Sequence, residues 1–369
     1  MRMTQAKIHL SNLIGNLRSI KKLIRKKSNA LISAAVKSNA YGHDIRIVTK
    51  SLLRAEVDSF VVANTHEALL LREFGVNLPI YLCSLPHPNE FPDLIAHSVI
   101  PMIDDIGLAQ NLDKAARNAH KKIQVHMKID TGMGRIGCLP KNALELRKKI
   151  EFCRHLEYSG TATHMSSADS NKKFTEEQCA IFRDTCDMIR QSGHSLGMIH
   201  IANSATTLQY TQSIKDISHM VRIGLMLYGY SPVADTTIPL KPVMELSSHI
   251  VSIKRMPKDS SISYGAEFKT KKETSIAIIP CGYGDGIPRI LGNKGSVSIR
   301  GTRYPIVGRL CMDHLMVDIG SDPIPRYTPV TIFGPDQGAP TALDIARLCN
   351  TIPYEITCGI STTVPRIAV

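Results

Sequence analysis

Short apolar runs and amphipathic stretches alternate along the first 230 residues. The runs are Leu31–Val36, Ser59–Ala63, Pro79–Leu85, Val99–Ile103, Ile123–Ile129, Tyr158–Thr163, Met198–Ala202 and Met220–Ile223. Each has the length and texture of a buried strand. Pro101 makes the fourth the weakest, because proline offers a ladder no N–H. Helical stripes fill the gaps. Ser11 reads as an N-cap before Leu13, Leu17, Ile20 and Ile24, an i, i+4, i+7, i+11 stripe. Asn64 and Glu67 read as a capping box for a segment that stops at Gly75. Thr175 and Gln178 read as another, for a helix carrying Phe182, Cys186 and Ile189 and closed by Gly193. Eight strands alternating with helices over about 220 residues are the arithmetic of a (β/α)8 TIM-type barrel, α/β in class. An open doubly wound sheet gives the same local pattern; the count of eight favours the barrel.

After Pro232 the texture changes. Strand-like runs follow one another at Ile250–Ile253, Ser275–Ile279, Ser296–Ile299, Leu315–Ile319 and Pro329–Phe333, and only Thr341–Cys349 reads as a clear helix. The expectation is a barrel over residues 10–232 and a mostly β C-terminal domain over 233–369, with the boundary inside the proline-rich Tyr230–Pro242.

Composition narrows the class. The chain has 369 residues, 43% hydrophobic and 21% charged, which excludes a disordered or fibrous chain. It has no run of about 18 uncharged apolar residues, so no membrane span is expected. The opening MRMTQAKIHL lacks a signal-peptide core, and the chain reads as cytoplasmic. Nine cysteines with no C-x-x-C pair fit reduced thiols better than a disulfide framework or zinc ribbon. The net charge of +13 could attract nucleic acid or a phosphorylated cofactor. Its densest run, Lys21, Lys22, Arg25, Lys26 and Lys27, reads as a solvated helix face. With eight Phe, eleven Tyr and no Trp, none interleaved with basic residues, no nucleic-acid partner is expected. The fourteen histidines do not fall at metal-ligand spacings, and no metal is expected.

In a barrel the chemistry sits at the C-terminal ends of the strands. The first predicted strand ends in Val36-Lys37-Ser38-Asn39-Ala40-Tyr41-Gly42-His43. A lysine ending a buried strand is costly unless the site uses it; desolvation lowers its pKa and leaves a nucleophilic amine. The alternative is a lysine whose head reaches water at the barrel mouth. The fifth strand leads into Asp130-Thr131-Gly132-Met133-Gly134-Arg135-Ile136-Gly137. This contains G-x-G-x-x-G in outline, but at the wrong strand for a dinucleotide site and with Arg135 inside it. A small-anion site, its guanidinium forking to a carboxylate, explains the loop better. The later strands end at His164, at Asn203-Ser204 and at Arg222 before Gly224-Leu225. Ser204 and Gly224 suit a phosphate, which barrels commonly hold after strands seven and eight.

The segment Ala35–His43 closely resembles the pyridoxal-phosphate lysine motif of alanine racemases. The likeness continues, in family order, through Lys128–Arg135, Thr163-His164, Asn203-Ser204-Ala205, Val221–Gly224, Tyr228-Gly229, Ser263–Ala266, Gly282–Gly286, Gly308–Asp313, Tyr354-Glu355 and Val364-Pro365-Arg366. It spans about residues 5–369. The resemblance implies a barrel followed by a β domain joined by the N-terminal strand at 1–9, and a head-to-tail homodimer with shared active sites. The implied activity is L-alanine/D-alanine interconversion, supplying D-alanine for cell-wall peptidoglycan.

Residue by residue, the resemblance implies that Lys37 bonds pyridoxal 5'-phosphate and serves as one base. Tyr41, Ser204, Tyr354 and the backbone of Gly224 and Leu225 hold the phosphate. Arg222 meets the pyridine nitrogen, supported by His164. Arg135 holds the substrate carboxylate and the Met312 N–H touches it. Lys128 positions Arg135, Tyr283 lies near the entrance, Asp313 is a supporting residue, and Tyr264 of the partner subunit is the second base. Two groups on opposite faces of one carbon are what racemisation requires. Thr363, Asp44 and His314 depart from the residues usual in the family, and none touches the two bases. Alternatives are a racemase of broader or different specificity, such as one for serine, a decarboxylase of basic amino acids on the same fold, and a non-catalytic pyridoxal-phosphate-binding protein. The β domain carrying Tyr264 argues against the last.

Overall fold

The protein is described by a computed structural model over residues 3–26, 28–210, 217–234 and 238–369. Lys27 of the basic run and part of the expected boundary lie outside these residues. Strand β1 (Gln5–Ile8) comes first. Eight parallel strands follow: β2 (Leu31–Ala35), β3 (Ser59–Val62), β4 (Ile80–Leu82), β5 (Ile100–Ile103), β6 (Ile123–Lys128), β7 (Leu156–Ala162), β8 (Met198–His200) and β9 (Met220–Ile223). They pair in order from β2 to β8, and β9 returns to β2. Between β8 and β9, His219 N–H donates to the Ile199 carbonyl and Arg222 N–H to that of Ala202, which joins the two ends. The expected barrel is thus the fold, and all eight predicted strands are present. The strand with Pro101 survives because its ladder to β6 begins at Met102.

The helices bury the expected stripes but begin earlier than expected. Helix α1 (Leu10–Arg25) buries Leu13, Leu17, Ile20 and Ile24, yet its N-cap is His9 and not Ser11. The Leu10 N–H donates to the carbonyl of Val369, so the residue just past the strand Arg366–Ala368 meets one of the helix's first N–H groups. The helix carrying Phe182, Cys186 and Ile189 runs Lys172–Gln191 under an Asn171 cap, which places Thr175 and Gln178 inside it. Asn64 caps Thr65–Glu73 as expected, but the Glu67 carboxylate accepts from the N–H groups of Ala63 and Ser38 and does not close a box onto Asn64.

The rest of the chain builds a six-stranded sheet, a three-stranded one and a two-stranded pair, Ser261–Ile262 with Phe268–Lys269. β1 lies inside the larger sheet, antiparallel to Met244–His249 and parallel to Arg366–Ala368. The predicted strand at Ile250–Ile253 is a correction. It straddles a corner where the chain leaves Met244–His249 in the large sheet and enters Ser252–Met256 in the small one. The first of these was hidden by Glu245, a charged residue within the strand. It is buried because Lys7 and His9 from β1 meet it at 2.7 and 2.9 Å. A second correction is the helix Pro353–Gly359, too short to show an apolar stripe. None of the nine cysteines, all among the described residues, forms a disulfide. No helix among the described residues is long and apolar enough to cross a membrane.

Candidate active site

At the C-terminal mouth of the barrel lies a cavity of about 470 Å³, within the size range of small-molecule sites. Lys37, Tyr41, Lys128, Arg135, His164, Ser204, Arg222, Gly224, Leu225 and Tyr354 all line it. These come from the ends of five strands, β2, β6, β7, β8 and β9, from the loop after β6 and from the helix Pro353–Gly359. Four of them are cations, and Asp169 is the one acidic residue in the lining.

Lys37 opens an unusual turn. Ser38, Asn39, Ala40 and Tyr41 all have φ between 53° and 55°, a short left-handed helix built from non-glycine residues. Such geometry costs about 1–2 kcal/mol per residue. Its supports are explicit. Ser38 N–H donates to Glu67 at 2.6 Å, Asn39 Oδ1 accepts from Ile45 N–H at 2.8 Å, and His43 Nδ1 meets the Tyr41 carbonyl at 2.8 Å. The Tyr41 ring stacks on Tyr228 at 4.7 Å. Lys37 itself is half-buried, so it stands at the rim of the cavity and is not sealed in the core.

Arg222, on β9, is buried to 7% exposure. Its guanidinium donates to His200 Nδ1 at 2.6 Å, to His164 Nδ1 at 3.0 Å and to the carbonyls of Thr163, His200 and Ile201. A guanidinium can only donate, so both histidines present bare Nδ1 atoms and, when neutral, carry the proton on Nε2. His200 Nε2 then donates to His126 Nδ1 at 2.8 Å. Burial first, then the Arg222 charge, holds His126, His164 and His200 below the usual histidine range. The chain His126–His200–Arg222–His164 therefore carries one positive charge in a fixed orientation. Sequence reasoning missed His126 and His200, which occupy strand interiors where apolar residues were expected. Gly160 explains the room for one of them: a Cβ there would lie 2.5 Å from the His126 ring.

The glycine loop after β6 wraps its own aspartate. Asp130 accepts from the N–H groups of Gly132, Met133 and Arg135. Burial raises the Asp130 pKa, but these donors outweigh it and hold the carboxyl below the usual range. The backbone donors that a dinucleotide phosphate would need are thus already used, and the loop serves to aim Arg135 at the cavity. Beside it, burial and then the charge of Arg222 push Lys128 well below the ordinary lysine value.

The donors at the opposite wall suit a phosphate. Ser204 begins a short helix, and its hydroxyl accepts from Gly224 N–H at 3.2 Å. Leu225 starts a 3-10 turn, whose first N–H groups have no partner within the turn. The Tyr41 hydroxyl lies so close to Gly224 that a Cβ there would sit 2.3 Å from it. Burial, then Tyr354, raises the Tyr41 pKa, so its hydroxyl remains a donor. Two hydroxyls, backbone N–H groups, a half-buried amine and a locked guanidinium together fit pyridoxal phosphate in donor type and cavity size.

Tyr264, Tyr283, Met312 and Asp313 do not line this cavity. Tyr264 is 69% exposed on the β domain, and Met312 and Tyr283 are also exposed. They do form one cluster: Tyr283 N–H donates to the Cys311 carbonyl, Gly284 N–H to that of Met312, and Ser263 Oγ to that of Arg309. Ser263, Gly265 and Ala266 around Tyr264 all have positive φ, so this exposed phenol sits on a strained turn.

Comparisons with known proteins give one answer. The family model described as alanine racemase, N-terminal domain, matches residues 8–232, and that described as alanine racemase, C-terminal domain, matches residues 243–368. The alanine racemase of Treponema denticola is 43% identical over 100% of this chain and 98% of its own length. That of Halothermothrix orenii is 38% identical over 99% and 96%. Among solved structures, the alanine racemase of Clostridium difficile superposes with a TM-score of 0.93 at 34% identity, covering 100% of this chain and 96% of that one. The Bacillus anthracis enzyme with bound L-Ala-P gives 0.91 at 32%, covering 100% and 95%.

Proposed function

Because the chain belongs to the alanine racemase family, isomerases that interconvert L- and D-alanine, we propose that its cavity holds pyridoxal 5'-phosphate on Lys37 and that Lys37 and Tyr264 of the partner subunit are its two bases. The observation that carries this is the placing of a lysine just past the end of β2 and a locked, buried guanidinium on β9, the strand beside it, both lining one cavity beside a hydroxyl-lined anion pocket.

When bound, the cofactor withdraws the electrons left on the substrate α-carbon. The protein does the rest. Ser204, Tyr41, Tyr354 and the N–H groups of Gly224 and Leu225 would hold the phosphate. Arg222, which holds its own protons firmly, would meet the ring nitrogen and leave it unprotonated. The three neutral histidines add no competing proton there. Arg135 forks to the substrate carboxylate, with Lys128 behind it and the Met312 N–H of the partner subunit as a further donor. The Lys37 amine takes or returns the α-proton on one face and the Tyr264 hydroxyl on the other. Tyr283 lies near the entrance, and Asp313 is a supporting residue.

An exposed phenol on a strained turn, remote from its own chain's cavity, supports a head-to-tail homodimer in which each copy completes the other's site. In this reading residues 10–232 form the cofactor barrel and 233–369, with strand 1–9, the β domain. The enzyme is cytoplasmic and supplies D-alanine for peptidoglycan. The test is a coupled assay of L- and D-alanine interconversion with added pyridoxal phosphate, run beside L-serine and L-lysine, with sedimentation of the same sample. Lys37→Ala should abolish both interconversion and the absorbance of bound cofactor. Retention of that absorbance would refute the assignment of Lys37.

A further inference from the structure

We propose that Arg366 is a positioning residue that ties the β domain to the left-handed turn between Lys37 and Tyr41 and so sets how tightly the site holds its cofactor. Four carbonyls receive this one guanidinium. Nε donates to Gly42 at 3.0 Å, Nη1 to Val364 at 2.7 Å and to Ser361, and Nη2 to Ile360 at 2.6 Å. Three of these acceptors lie in the C-terminal segment. The fourth, Gly42, is 324 residues away and closes the turn in left-handed geometry, φ 83°. The two backbones are in contact there: a Cβ on Gly42 would lie 2.0 Å from the Thr357 carbonyl oxygen.

The turn is therefore pinned at both ends, Ser38 by Glu67 from the barrel and Gly42 by Arg366 from the β domain. Lys37 precedes the first pin and Tyr41 the second. A shift at Gly42 moves the Tyr41 hydroxyl away from Gly224 and releases a strained backbone that places Lys37. The planar five-donor fork suits carbonyls at 42, 360, 361 and 364, whereas an ammonium offers three donors about one point. The inference rests on the cofactor reading above only in taking Lys37 and Tyr41 as cofactor contacts.

The experiment uses the full-length protein. Arg366→Gln and Arg366→Lys are compared with Arg303→Gln, which removes a guanidinium bonded to the carbonyls of Gly338 and Ala339, away from the turn. Each apoprotein is titrated with pyridoxal phosphate by absorbance, and the bound cofactor is trapped on Lys37 with borohydride. Both Arg366 variants should bind the cofactor about tenfold more weakly, while Arg303→Gln keeps the wild-type constant. In the wild type, cofactor loading should reciprocally slow hydrogen exchange across residues 360–368 and leave 302–305 unchanged; this arm needs no variant to fold. Wild-type affinity in the Arg366 variants, an equal loss in Arg303→Gln, or unchanged exchange at 360–368 overturns the proposal. Failure of the wild type to trap cofactor on Lys37 instead overturns the cofactor reading, so the two failures are distinct.

Discussion

Lowering the pH from 7 to 5 should cost the apoprotein about 4 kcal/mol through two histidines alone. His43 is fully buried beside the Tyr228 ring at 4.6 Å, and its Nε2 has no partner. Burial pushes its pKa down to about 4, against the pull of the Tyr41 and Ala40 carbonyls. Burial, then Arg222, pushes His126 down to about 3. The unfolded value is near 6.5. Below it the unfolded chain binds the proton and the folded chain does not. Each site's stability is thus fully present above pH 6.5 and is lost as the pH falls toward the folded value, at about 1.4 kcal/mol per unit. Between pH 7 and 5 that is about 2 kcal/mol per histidine. His164 and His200 are shifted in the same direction and steepen the loss. Asp130, with its lowered pKa, contributes only at lower pH. Urea unfolding at pH 7, 6 and 5, followed by circular dichroism, measures the slope, and His43→Gln should flatten it by about one proton. Stability that is level or rising over this interval would show that these rings are not buried neutral.

Three further outcomes follow from the same geometry. Gly224→Ala places a methyl 2.3 Å from the Tyr41 hydroxyl at an ordinary φ; it should weaken cofactor binding at least about tenfold with under about 1 kcal/mol of lost stability, measured by titration and urea melts of the same protein. Lys128→Met removes a buried cation that burial and Arg222 disfavour; the apoprotein should gain about 1–2 kcal/mol while substrate KM rises, and a destabilised variant would contradict the charge argument. Tyr264→Phe should impair α-proton exchange in deuterated solvent from L-alanine far more than from D-alanine, and equal loss from both would remove its role as a one-sided base.

Much of this was readable before folding because barrels advertise themselves in one dimension. Eight apolar runs at regular spacing give the layer order, and the chemistry must follow the strands, so Lys37, His164, Ser204 and Arg222 were within reach of the pattern. The polar residues buried within strands were not. His126, His200 and Glu245 read as interruptions, since what makes each tolerable is a partner supplied by another strand. The helix starts were misplaced for a similar reason: His9 needs no side-chain cap when Val369 satisfies Leu10. The left-handed turn was invisible. Only Asn39 and Gly42 in Lys37–Gly42 are natural formers of that conformation, and the contacts that impose it come from Glu67, Tyr228 and Arg366, remote in sequence.

The charge inventory of the cavity also bears on which amino acid it takes. Lys37, Lys128, Arg135 and Arg222 face one another across about 470 Å³ with Asp169 as the one carboxylate in the lining. Two of these groups, Lys128 and Arg222, are nearly fully buried, so holding them charged carries a desolvation cost. A ligand that brings a phosphate and a carboxylate removes that cost, which fits the cofactor and the main-chain end of any amino acid. A substrate with a cationic side chain restores it, and recognition of lysine or arginine would need acidic partners that the described lining lacks beyond Asp169. Met133 and Ile136, on either side of Arg135 in the same loop, also line the cavity and are apolar. Selection for a small neutral side chain is therefore electrostatic before it is steric: L-lysine should fail even where the barrel mouth could admit its length, and L-serine should be disfavoured only by the smaller cost of desolvating one hydroxyl. Turnover of lysine at a rate comparable to alanine would show that the buried cations do not govern the choice.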